Sequence, residues 1–86
     1  MSYSILFTHQ AQKDLEKIKK SNLKDKALLL LKALREDPLQ PPLEKLTGKD
    51  TTYSKRINRQ HRLVYQIYEA EKVVKIIRMW THYGDN

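Results

Sequence analysis

Pro38 divides this chain into two parts with different apolar periods. Proline steers the residue before it, here Asp37, out of helical geometry, so a helix arriving from the N-terminal side stops there. Upstream, Ala11, Leu15 and Ile18 recur at helical spacing, and Ala27-Leu28-Leu29-Leu30-Leu31 is apolar around more than one face of a second helix. Downstream, Leu63, Tyr65 and Ile67 alternate with Val64, Gln66 and Tyr68, which is the period of a strand. Helices followed by strands imply an α+β fold, with helices packed on one face of a mainly antiparallel sheet.

The order of elements follows from local signals. The apolar run Tyr3-Ser4-Ile5-Leu6-Phe7 is a buried strand ending at Thr8, an N-cap for a helix over residues 9–20. Ser21-Asn22 interrupts that helix, and Asn22 with Asp25 is the expected cap of a second helix over 23–35. The leucines at its centre are expected in the core. Residues 38–50 hold all three prolines and one of the two glycines, so they are expected to form a loop. Strands are expected over 52–58, 62–68 and 73–81, with Glu69-Ala70-Glu71-Lys72 as the turn between the last two. The expected architecture is β-α-α-β-β-β, two helices on a four-stranded sheet, in one domain over residues 1–86.

At 86 residues the chain has room for one core. It contains no cysteine, so disulfides and thiolate metal sites are excluded, and no segment is apolar and long enough to span a bilayer. The expected setting is the cytoplasm. Seventeen lysines and arginines against ten acids give a formal charge of +7, which favours nucleic acid or an acidic protein as partner. Lys45, Lys49, Lys55, Arg56, Arg59 and Arg62 are opposed only by Asp50 in their segment, whereas the helices mix both signs. Four arginines (Arg56, Arg59, Arg62 and Arg78) lie in the strand-rich part, and the guanidinium fork suits phosphate.

Groups able to move protons near neutral pH are few. His9 opens a helix, His61 lies in a turn and His82 follows the last strand. No pair of histidines at metal-ligand spacing and no tight Asp/Glu/His cluster occurs, so neither a metal nor another cofactor is expected. Metal-free RNA cleavage needs a base for the 2′-hydroxyl, a cation for the phosphorane and an acid for the departing 5′-oxygen. Glu44 is the one acid between Gln40 and Lys49; alone it reads as a solvated carboxylate beside Lys45. Arg56 and Arg62, taken singly, read as surface cations on strands.

In order and surroundings these residues carry more weight. Glu44-Lys45-Leu46, Tyr53-Ser54-Lys55-Arg56-Ile57-Asn58, His61-Arg62-Leu63-Val64-Tyr65 and Arg78-Met79-Trp80-Thr81-His82-Tyr83 together resemble the Txe/YoeB family of toxins, in the RelE/ParE-like superfamily. The likeness runs from the opening strand to the tail. Three departures stand out: Lys55-Arg56, which keeps the charge of the family's basic pair with one guanidinium fewer, the loop Lys49-Asp50-Thr51-Thr52, and the extension Gly84-Asp85-Asn86.

The resemblance implies a RelE-like fold and a ribosome-dependent, metal-independent endoribonuclease that cleaves mRNA at the A-site codon by attack of the 2′-hydroxyl. It implies Glu44 as general base, Arg62 as the group neutralising the transferring phosphate, His82 as general acid and Tyr83 as the residue setting leaving-group geometry. Lys45, Lys55, Arg56 and Arg59 are expected to bind RNA phosphate. Implied partners are a cognate YefM/Axe-like antitoxin, the ribosome with its mRNA, and operator DNA through the antitoxin complex; a homodimer is compatible with it, and no membrane is involved. Two other readings use the same sequence: a non-catalytic toxin of the gyrase-inhibiting ParE kind, and a plain nucleic-acid-binding module for which the charge alone suffices.

Overall fold

A computed structural model describes residues 2–46 and 51–81. Strand β1 (Ser4–Phe7) leads into helix α1 (His9–Lys19), then helix α2 (Lys24–Glu36), the two-residue strand β2 (Glu44–Lys45), and strands β3 (Thr52–Arg56), β4 (Arg62–Tyr68) and β5 (Val73–Thr81). Among the described residues the strands form one five-stranded sheet in the order β1-β5-β4-β3-β2. β1 runs parallel to β5, and every other neighbouring pair is antiparallel. The α+β class is as expected, with one strand more. The extra strand is β2, inside the proline-rich segment read as a loop; two residues are too few to show a period.

Thr8 caps α1 as its position predicts. Its hydroxyl accepts from the Ala11 amide at 3.0 Å and donates to the Ile77 carbonyl at 3.0 Å, tying the helix start to β5. Asn22 does not cap α2. The N-cap position is Leu23, which makes no side-chain cap bond, and the Ser21 hydroxyl instead accepts from the Leu23 amide at 3.1 Å. β3 ends at Arg56, two residues short of the expected limit, because the Ile57 and Asn58 amides both turn back to the His61 carbonyl.

The core joins Ala11 and Ile18 of α1 and Ala27, Leu31 and Leu34 of α2 to Leu63, Tyr65, Ile67, Val74 and Ile76 of the sheet. The odd-numbered residues of β4 therefore face the helices, and the even-numbered ones face away. The central leucines of α2 are not all core: Leu28 is 42% and Leu29 67% exposed. α1 lies on β5, whereas α2 packs beside α1 and β1 and leaves the side bearing Leu28 and Leu29 exposed.

The most buried charge lies on α1. Asp14 has no exposed surface, and its carboxylate accepts from the Met79 amide at 2.9 Å, Arg78 Nε at 3.0 Å and Gln10 Nε2 at 3.1 Å. Burial pushes its pKa up, but these bonds and the Arg78 charge outweigh that and hold it below the ordinary value of 3.8. The bonded amide belongs to an irregular stretch of β5. Between Tyr65↔Ile76 and Arg62↔Thr81 the register with β4 shifts twice, each time leaving one extra residue on β5.

Candidate active site

Glu44 and Arg62 lie 18 residues apart in the chain, and the sheet brings them together. Glu44 pairs with Ser54, and Arg62 pairs with Arg56 two residues further along β3. Pairing and alternation place Glu44, Ser54, Arg56 and Arg62 on one face of the sheet, the face turned away from the helices. Arg62 Nη1 reaches across β3 to Glu44 Oε1, a charge-assisted bond of 2.6 Å. The Glu44 side chain is 63% and that of Arg62 29% exposed, so the pair is screened by water and open to a ligand. The small Ser54 side chain leaves room for the guanidinium to cross.

A cleft of about 230 Å³ adjoins the pair. Glu44, Ser54, Lys55, Arg56 and Arg62 form its polar side, and Leu30, Pro42 and Leu43 its apolar side. Arg56 is exposed beside Arg62, so two guanidinium groups and one carboxylate share one rim. Such a rim can hold a phosphate through the forked donors while a carboxylate accepts a proton nearby.

The other expected phosphate-binding residues are placed differently. Arg59 is exposed in the turn joining β3 to β4, where Asn58 Oδ1 accepts from the Gln60 and His61 amides. Lys45 is exposed but follows Glu44 in a strand, so its side chain belongs to the opposite face. Lys55 also belongs to that opposite face and is buried, its ammonium donating to the Gln40 and Pro42 carbonyls at 2.6 and 3.0 Å. Burial pulls its pKa below the usual lysine value, and the Asp37 carboxylate opposes the shift. Arg78, the last of the four arginines in the strand-rich part, gives its Nε to Asp14. His82 and Tyr83 lie outside the described residues, the last of which, Thr81, pairs with Arg62. His61 stacks on Trp80 with ring centroids 4.2 Å apart.

Two buried charges, Asp14 and Lys55, were not foreseen from the sequence. An acid at position 14 falls inside the apolar stripe of Ala11, Leu15 and Ile18, which is the signal of a buried, bonded carboxylate. Lys55 falls between Tyr53 and Ile57 on the inward-facing positions of β3, the signal of a buried ammonium.

A family model described as the ParE toxin of type II toxin-antitoxin systems, parDE, matches residues 5–85. No curated protein sequence matches the chain. Among solved structures, a YoeB/ParE toxin from Agrobacterium tumefaciens superposes with a TM-score of 0.83 at 22% identity, over 93% of this chain and 99% of that one, a likeness of fold. The YoeB dimer of Staphylococcus aureus superposes with a TM-score of 0.81 at 29% identity, over 96% of this chain and 100% of the other. The YoeB–YefM complex of the same organism matches with a TM-score of 0.76 at 32% identity, again over 96% and 100%. With the family model covering nearly all of its length and a YoeB toxin 32% identical over 96% of this chain, the chain belongs to the ParE toxin family of type II toxin-antitoxin systems, in the RelE/ParE superfamily and alongside YoeB-like toxins.

Proposed function

We propose that this toxin is an endoribonuclease that cuts mRNA held in the A site of the ribosome, using side chains alone. The observation that carries the reading is the 2.6 Å contact between Arg62 and Glu44 beside Arg56. A binding surface for nucleic acid needs cations only; a carboxylate held among them repels phosphate and is accounted for by proton transfer. In this reading ionised Glu44 takes the proton of the 2′-hydroxyl as its oxygen attacks phosphorus. Arg62 and Arg56 hold the equatorial oxygens as negative charge builds. A guanidinium has five donors, so Arg62 can keep Glu44 and take a phosphate oxygen at once. His82 gives a proton to the departing 5′-oxygen and Tyr83 orients it, roles that rest on the sequence resemblance. The products are a 2′,3′-cyclic phosphate and a 5′-hydroxyl. Because so few groups act, the ribosome supplies the in-line orientation of the mRNA.

The partner in the cell is an acidic antitoxin of the YefM/Axe kind. Type II membership requires an antitoxin, and the +7 charge of this chain favours an acidic one. A second reading has its own support: the matching family model is that of ParE, which favours a gyrase-inhibiting toxin acting by binding. Two assays on one preparation separate them. Cleavage of ribosome-bound mRNA with no effect on gyrase supercoiling supports the nuclease. Inhibition of supercoiling with intact mRNA contradicts it and selects the binding toxin.

A further inference from the structure

Proline has no amide N–H, and the segment between α2 and β2 contains three prolines, Pro38, Pro41 and Pro42. Such a segment offers carbonyl acceptors with few donors of its own, and buried carbonyls need partners. Two side chains of the sheet supply them. The Tyr65 hydroxyl donates to the Pro38 carbonyl at 2.9 Å, and Lys55 Nζ donates to the Gln40 carbonyl at 2.6 Å and the Pro42 carbonyl at 3.0 Å. The bonds fall on every second carbonyl and end two residues before Glu44. Lys55 is 6% exposed and Tyr65 has no exposed surface. β2 itself has two paired positions, too few to hold a strand in place unaided. Both of its supports come from β3: Ser54 pairs with Glu44, and Lys55, the next residue, straps the segment that leads to it.

We propose that Lys55, with Tyr65 beside it, is a positioning residue that fixes where the Glu44 carboxylate stands relative to Arg62, and that it makes no contact with RNA phosphate. The proposal rests on the nuclease reading of Glu44. An ammonium fits the task because it carries three donors on a flexible stem and needs two acceptors close together. Lys55 borders the cleft shared by Glu44, Arg56 and Arg62, but its ammonium is committed to the Gln40 and Pro42 carbonyls of the loop. Displacing a catalytic carboxylate by an ångström slows chemistry without weakening the hold on substrate, which is the signature that separates a strap from a phosphate contact.

The test uses the full chain, its Lys55→Met variant and its Tyr65→Phe variant, which lacks one oxygen atom. Three quantities are read: kcat and KM for cleavage of ribosome-bound mRNA, the salt dependence of binding to a short single-stranded RNA, and hydrogen exchange of the Leu46 amide, which bonds the Thr52 carbonyl at 3.0 Å. The expected result is a kcat lower by about 100-fold in Lys55→Met and about tenfold in Tyr65→Phe, with KM and the salt slope unchanged. Leu46 exchanges faster in both variants while the Val74 amide in the core does not. A salt slope smaller by about 0.7 in Lys55→Met, with Tyr65→Phe fully active, would mean a phosphate contact and overturn the proposal. Unchanged Leu46 exchange in both variants overturns it as well, whatever the activities. If folded wild-type protein cleaves nothing, the nuclease reading fails by itself, and the exchange measurement still decides whether the strap exists. Should Lys55→Met fail to fold, Tyr65→Phe carries the same comparison.

Discussion

Arg62 reaches over β3 to hold Glu44 at 2.6 Å, beside a cleft that Leu30 of α2 also lines. A pair this exposed contributes at most about 1 kcal/mol to stability. Its effect on chemistry is of another order, since general acid-base groups contribute about 10²–10⁴ in rate. Glu44→Gln is therefore expected to unfold at nearly the wild-type urea concentration while mRNA cleavage drops at least about 100-fold. A variant that loses both stability and activity would mean that Glu44 serves the fold instead.

Asp14 gives the opposite pattern. Its carboxylate is fully buried and satisfies the Met79 amide at the irregular end of β5, while Arg78 is 37% exposed and partly screened. Asp14→Ala leaves that amide without a partner, and the expected loss is about 2–3 kcal/mol, measured by urea denaturation at pH 7.

The pH dependence of stability follows from the same residue. Its folded pKa lies below the ordinary 3.8, so its contribution is complete above that value and is lost as pH falls through the lower, folded one. Below pH 4, stability of the wild type should fall more steeply than that of Asp14→Asn, whose side chain does not titrate. Parallel acid limbs in the two proteins would remove Asp14 from this account.

The two sides of α2 should respond differently to truncation. Leu34 is fully buried and Leu29 is 67% exposed. Leu34→Ala is expected to cost about 3 kcal/mol, and Leu29→Ala no more than about 0.5 kcal/mol. Thermal unfolding of the pair decides it; a large loss at Leu29 would show that the exposed side is covered in solution.

Thr8→Ala tests the joint between the first helix and the sheet. The hydroxyl both caps α1 and bonds the Ile77 carbonyl, so its removal is expected to cost about 1–2 kcal/mol. Thr8→Ser, which keeps both bonds, should recover most of that.

How much of this was legible in the sequence depended on how far each signal extended along the chain. The alternation over β4 and the helical spacing of Ala11, Leu15 and Ile18 run over several residues, and those elements appear where expected. β2 was not legible, because two residues show no period and their strand character comes from pairing with Ser54 and Tyr53. The direction of Lys55 was missed for a related reason. Charge suggested a surface cation, whereas the inward positions of β3, Tyr53 and Ile57 on either side, determine where the ammonium goes. Glu44 and Arg62 were named from the resemblance; their contact depends on β2 and β4 flanking β3, a fact of topology and not of spacing. His82 and Tyr83 remain sequence assignments.

Mapping the ends of an mRNA programmed into translating ribosomes, with chelator present, after exposure to the wild type, Glu44→Ala and His82→Ala decides whether this toxin is a nuclease. The wild type is expected to cut at the A-site codon, leaving a 5′-hydroxyl end, with cleavage unaffected by chelator and lost in both variants. Intact mRNA after incubation with folded wild-type toxin, or a cut that persists in Glu44→Ala, would contradict that expectation.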